Sequence, residues 1–154
     1  MRILAVTQKH SGVGYHRIMM PLTYLKKNYC LITDQLNEEV LEKCFDILVV
    51  NRMLNGILPE QLVEWRDKYN FKLVVDNDDF WDLDVHHPLY YRYQINNIPE
   101  LIKGYIQIAD LCTCTHERLA QEIFNYNVDV HILPNALPFG EEQFLDKKIP
   151  SDKI

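Results

Sequence analysis

Asp76, Asp78, Asp79, Asp82 and Asp84 put five carboxylates within nine residues, directly behind the apolar run Lys72 to Val75 and with no Lys or Arg among them. Two carboxylates about 6 Å apart repel by about 0.7 kcal/mol in water and about 3 kcal/mol at an effective dielectric near 20. Such a cluster must stay wet, hold a proton or meet a cation. The formal net charge of the whole chain is -6, so this one segment accounts for most of the imbalance and describes a site more than a solubility device. Asp76-Asn77-Asp78 matches D-x-D, a spacing that can present two carboxylates to one divalent ion bridged to a diphosphate. His86 and His87 follow within ten residues. Histidine changes charge near neutral pH, so either could act as base or orient a hydroxyl, although neighbours in extended chain point apart and at most one is expected to face a site. Phe80, Trp81, Tyr90, Tyr91 and Tyr93 surround these groups with faces on which a sugar ring could stack, or with which a long loop could pack onto a core.

A second loop of opposite character follows the first apolar run. Thr7 to Arg17 carries Gly12 and Gly14, adds Lys9, His10 and Arg17, and opens into a helical pattern. Backbone N-H groups at such a place favour anions, and glycines let a diphosphate approach. Gly12, Val13, Gly14 and Arg17 are therefore candidates for binding a phosphate-bearing substrate. A nicotinamide dinucleotide is the alternative. Asp34 falls where a ribose-binding acid would, but Arg17 stands where that fingerprint needs a third glycine and Gly12 comes late after the strand.

Elements that could position these loops are legible in the periodicity. Strand-length apolar runs at Ile3 to Val6, Tyr29 to Ile32, Asp46 to Val50, Lys72 to Val75, Leu111 to Thr115 and Val128 to Leu133 alternate with helical patterns. The helices are expected at His16 to Lys27, Glu38 to Cys44, Pro59 to Tyr69, Pro99 to Ala109 and Glu117 to Tyr126. That alternation predicts an α/β fold, a doubly wound parallel sheet of about six strands, Rossmann-like, in one domain. Asn37 and Thr115 are expected helix caps, and Pro59 a first-turn residue. Leu62, Trp65 and Tyr69, and likewise Leu101, Tyr105 and Ile108, share helix faces that belong in a core. Asp76 to Arg92 stands out as a long connection where two to six residues would suffice. In a sheet with the fourth strand beside the first, the basic glycine loop and the acidic loop would face each other across the crevice at the strand ends. Asn51, Arg52, Thr115, His116, Glu117, Pro134 and Asn135 follow other strands along that same edge.

Composition narrows the classes. With 154 residues, 47% hydrophobic and 25% charged, the chain can bury one ordinary core. Its acidity disfavours phosphate backbones, so nucleic acid is not an expected partner. No apolar run approaches the roughly 20 residues of a transmembrane helix, and a cytoplasmic location is expected, with a peripheral place at the inner membrane surface as the alternative. Cys30, Cys44, Cys112 and Cys114 lie in or beside apolar segments, and Cys112 and Cys114 read as same-face strand residues rather than zinc ligands.

Taken in order, three motifs resemble the N-terminal domain of a GT-B fold glycosyltransferase, of the family-4-like kind that builds bacterial surface polysaccharides. They are Gly12-Val13-Gly14-Tyr15-His16-Arg17 running on to Pro21 and Leu25, Ala109-Asp110 with Leu111 to Thr115, Glu117 and Leu119, and Ile132-Leu133-Pro134-Asn135 with Phe144 beyond. Asp76 to Asp79 with Trp81 and Pro88 is similar to an acidic acceptor-side loop of one branch. Ala136 departs from the family's usual glycine. The resemblance covers residues 1–144, leaving 145–154 as a tail or the start of a linker, with Gly140 to Ile154 reading as a mostly polar tail.

The resemblance implies transfer of a sugar from a nucleotide-sugar to the hydroxyl of a carbohydrate or lipid-linked acceptor. It places Gly12, Val13, Gly14, Arg17 and Asn135 on the donor side and Asp76, Asp78, Asp79, His86 and His87 on the acceptor side. No cofactor beyond the donor is required, and the donor-binding C-terminal domain would be a missing partner. A metal-dependent GT-A-like transferase using D-x-D, a metal-dependent hydrolase using the Asp and His groups, and a non-catalytic nucleotide-binding module of the same fold remain the alternatives.

Overall fold

Runs that are apolar on both faces must be covered on both, and the chain solves this with a wholly parallel sheet carrying helices on its two sides. The computed structural model describes residues 1–8, 11–24 and 30–135. Its strands are β1 (Ile3–Val6), β2 (Cys30–Thr33), β3 (Ile47–Asn51), β4 (Lys72–Asn77), β5 (Leu111–Cys114) and β6 (Val130–Ile132). They lie in the order β2-β1-β3-β4-β5-β6. The helices are α1, a wide π-type segment Gly14–Met19 running into the α-helix Met20–Tyr24, then α2 (Glu38–Leu41), α3 (Pro59–Tyr69), α4 (Tyr90–Ile95), α5 (Ile98–Ile108) and α6 (Glu117–Phe124). The expected Rossmann-like α/β class is the observed one. Lys9, His10, Leu25, Tyr29, Ala136, Phe144 and the segment 140–154 lie outside the described residues.

One face of the sheet carries the main core. Leu4, Val6, Leu48, Val50, Leu73, Val75, Cys112 and Cys114 pack there against Leu41 of α2, Leu62 of α3, Ile102, Tyr105 and Ile106 of α5, and Leu119 and Ile123 of α6. Cys112 and Cys114 are thus buried thiols on one strand face, as their alternation with Thr113 predicts, and burial pushes Cys112 up to about 12. Ile3, Ala5, Ile18 and Met20 are also buried but stand apart from that cluster, because α1 covers the opposite face.

Local signals placed several ends well. Asn37 Oδ1 accepts from Val40 N at 3.0 Å at the start of α2, and Pro59 occupies the first turn of α3. At α6 the cap is His116 rather than Thr115: its Nδ1 accepts from Leu119 N at 3.3 Å, while Thr115 Oγ1 donates to the Asp78 carbonyl. Thr115 faces the neighbouring strand's loop, which leaves the next residue to satisfy the helix.

Strand order differs from the expectation. The chain crosses from β2 back over β1, so β3, not β4, lies beside β1, with Leu4 opposite Leu48 and Val6 opposite Val50. The switch point is consequently the gap between β1 and β3. Strand patterns of similar apolarity do not say which neighbour each will take, and this choice lay outside local sequence. The long connection is also shorter than it looked, because Asp76 and Asn77 extend β4 and Tyr90–Ile95 forms a helix.

Gly14 shows why the first loop needs a glycine. A Cβ there would sit 2.4 Å from Thr7 Oγ1, 2.6 Å from Gln8 O and 2.7 Å from Ser11 Oγ, whereas at Gly12 it would meet nothing within 4 Å. We expect Gly14→Ala to cost about 1–3 kcal/mol in denaturant unfolding through overpacking, and Gly12→Ala to stay within about 0.5 kcal/mol.

Candidate functional site

Register brings three polar side chains into one row near the carboxyl edge of the sheet. Asn51 of β3 lies opposite Asp76 of β4, and Asp76 opposite Thr113 of β5. Asp76 is only 2% exposed, a position a carboxylate tolerates only when compensated. Arg17, 6% exposed, reaches it from α1 with a forked pair of bonds, Nε to Oδ2 at 3.0 Å and Nη2 to Oδ1 at 2.5 Å. Thr113 Oγ1 donates to Oδ1 at 2.6 Å, and Asn51 Nδ2 to Oδ2 at 3.2 Å. The remaining guanidinium nitrogen, Nη1, donates to Leu133 O at 2.5 Å and Asn135 Oδ1 at 3.1 Å. Although burial opposes its charge, the bond and field of Asp76, with the field of Asp78, hold the Arg17 guanidinium above the ordinary arginine value.

The acidic segment is divided among the three fates open to it. Asp76 meets a cation. Asp78 is half-buried, with Asn51 Nδ2 at 3.5 Å from its Oδ1, and burial followed by the nearby charge of Asp79 pushes its carboxyl above the usual range despite the opposing charge of Arg52. Asp79, Asp82 and Asp84 are exposed and stay wet. Asp82 lies 3.9 Å from Lys103 Nζ, and Asp84 Oδ1 accepts from His86 N at 2.9 Å in an exposed turn. In that same turn His87 Nδ1 accepts from Leu89 N at 3.1 Å. Because both Asp76 oxygens are engaged by Arg17, the D-x-D pair does not offer two open carboxylates. Among the described residues no group of three His, Cys, Asp or Glu side chains is arranged to hold a metal ion.

A crevice of about 680 Å³ opens at the switch point between β1 and β3. The loop after β1 contributes Gln8, Ser11 and Val13, the loop after β2 Asp34 and Asn37, the end of β3 and the segment beyond it Asn51 to Asn55 and Ile57, and α4 with its approach Leu89, Arg92 and Tyr93. Of the donor-side candidates Val13 lines this space. Gly12 is exposed, Gly14 is closed off by Thr7, Gln8 and Ser11, and Arg17 clasps Asp76 while Asn135 Oδ1 accepts from the other side of its guanidinium. The N-H of Gly14 is already taken by Ser11 Oγ at 2.8 Å. Asp76, Asp78, Asp79, His86 and His87 do not line the crevice, and Asn51 is the side chain that links it to Asp76 and Asp78.

Arg92 is the lining residue that sequence reasoning passed over. It sits in Tyr90-Tyr91-Arg92-Tyr93, a run read as loop, and the alternation of Tyr and Arg was the available signal. Trp81 turns out to be a core residue, 1% exposed with its ring 6.0 Å from that of Tyr126, whereas Phe80 and Tyr91 remain exposed. The side-chain amide of Asn77, wholly buried, and the indole N-H of Trp81 find no hydrogen-bond partner among the described residues.

Comparison of the sequence with family models and with curated proteins found no match. No helix among the described residues is long and apolar enough to cross a membrane.

Two expectations test this geometry. Asp76→Ala should cost about 3–5 kcal/mol in chemical unfolding because it strands a buried guanidinium, while the double replacement Arg17→Met with Asp76→Leu should cost much less. Asp78 has a raised folded-state pKa, so its contribution to stability is full below the unfolded value and is lost as pH rises through the folded value. Asp78→Asn should therefore match the parent melting temperature in acid and exceed it near neutrality.

Proposed function

We propose that this chain is the acceptor-side, N-terminal domain of a GT-B glycosyltransferase, which moves a sugar from a nucleotide-sugar to an acceptor hydroxyl together with a second, donor-binding domain. The observation that carries the reading is the convergence on one side chain. Arg17, from the glycine loop, bonds at once to Asp76 of the acidic segment and to Leu133 and Asn135 of the Pro-Asn element. Two of the three motifs that carry the family resemblance, and the acidic segment that is similar to a loop of one branch, thus meet near the carboxyl edge of a parallel sheet, where ligands of such folds bind.

In this reading the residues take different parts. Arg17 and Asp76 are positioning residues, since their polar atoms are spent on each other and on neighbouring segments. Asp78 is the group for accepting a proton from the acceptor hydroxyl, because a carboxylate with a raised pKa is a better base near neutral pH. Asp79, exposed beside it, orients the same hydroxyl. The exposed Gly12 and the half-buried Val13 leave room for the donor diphosphate, and His86 and His87 lie on an outer turn open to an extended acceptor. The crevice at the switch point, lined by Asp34, also favours a second reading, a nucleotide-binding module without transfer activity.

Transfer from a panel of nucleotide-sugars, measured on the product of the uninterrupted reading frame, separates the two. Asp78→Asn with Asp79→Asn is expected to lower kcat by about 10²-fold or more, the usual scale of a lost general base, with donor affinity unchanged. Absence of turnover with every donor, with nucleotide binding kept by this chain, would leave the module as the better reading.

A further inference from the structure

The switch-point crevice has a charge pattern unlike the rest of the chain. In a protein of net charge -6, its described lining holds two arginines, Arg52 and Arg92, against the single carboxylate of Asp34. The charges are also set apart. Arg52 follows β3 and Arg92 lies on α4, while Asp34 follows β2, which is separated from β3 by β1. Two strand spacings amount to about 10 Å, the reach of a sugar with one charged substituent.

Arg52 is held in place. Its Nη2 donates to Tyr93 Oη at 2.9 Å and its guanidinium lies 5.8 Å from the centre of the Tyr93 ring, so the side chain has two restraints before any ligand arrives. Its backbone is left-handed, φ 60°, anchored by Arg52 N donating to Asp76 O at 2.8 Å. A non-glycine residue in that region costs of order 1 kcal/mol or more, and such outliers gather at binding sites. The lining also carries the amides of Gln8, Asn37 and Asn55, which suit hydroxyls, although Asn37 Oδ1 is already engaged by Val40 N.

We propose that this crevice binds a sugar carrying one anionic group, a phosphate or a carboxylate, with the anion on Arg52 and Arg92 and the hydroxyls toward Asp34. Guanidinium forks match both anions bidentately. The inference deepens the acceptor-side reading by naming the acceptor's chemical class, and it rests on that reading only for the word acceptor; the binding itself does not depend on it.

Calorimetric titration of the 154-residue chain with glucose 6-phosphate, glucuronate, glucose and inorganic phosphate tests the proposal. At least one acidic sugar should bind about tenfold or more tighter than glucose and than phosphate alone, with affinity falling as salt rises. Preference between the two acidic sugars identifies the anion. Arg92→Gln, on an exposed helix position, should weaken binding about tenfold without moving the melting temperature, and Arg52→Gln should do the same to binding. Equal binding of glucose, equal binding of inorganic phosphate, no saturable binding of either acidic sugar, or unchanged affinity in Arg92→Gln would each overturn it. Acidic-sugar binding without sugar transfer by the full reading-frame product would uphold this inference and sink the transferase reading. Transfer to neutral acceptors with no acidic-sugar binding would do the reverse.

Discussion

The buried pair of Arg17 and Asp76 is the constraint on which the rest of the edge depends. A carboxylate at the end of a central strand loses its hydration, and the cost is offset only by a partner that satisfies both oxygens at once. The forked guanidinium does this, and Thr113 and Asn51 fill remaining acceptor sites. Since the other half of the guanidinium holds Leu133 O and Asn135, the same side chain fixes where α1 lies and where the chain goes after β6. The start of α1 packs closely on Thr7, Gln8 and Ser11, which leaves no room for a side chain at Gly14.

This pair also explains how so much negative charge fits in one short segment. The first aspartate is neutralised from above, the second is drawn toward protonation by burial and a neighbour, and the outer three are left to solvent. Asp78 is then the carboxylate of the segment that is neither consumed by an ion pair nor fully wet. Its connection to the crevice runs through Asn51, which bridges the buried row and the open space. The crevice itself is a product of strand order. Placing β3 beside β1 moves the switch point away from the acidic strand end and toward Arg52, and the helix at Tyr90–Ile95 then closes that side with Arg92 and Tyr93.

The amino-acid sequence by itself determined the parallel α/β class, the six strands, five of the helices to within a few residues at their described ends, the cap at Asn37, the two buried cysteines and the places of the glycine and acidic loops. Those features rest on periodicity, capping chemistry and composition, which act over a few residues. Tertiary structure decided that Asp76 is an anchor, that Arg17 is buried against it, that β3 and not β4 borders β1, and that Arg92 joins Arg52 at one crevice. Each of these depends on partners far along the chain: Arg17 and Asp76 are 59 positions apart, Arg17 and Asn135 118. A local pattern shows that a charge exists, but whether it is solvated, paired or held ready for a ligand is set by the dielectric and neighbours that only packing supplies.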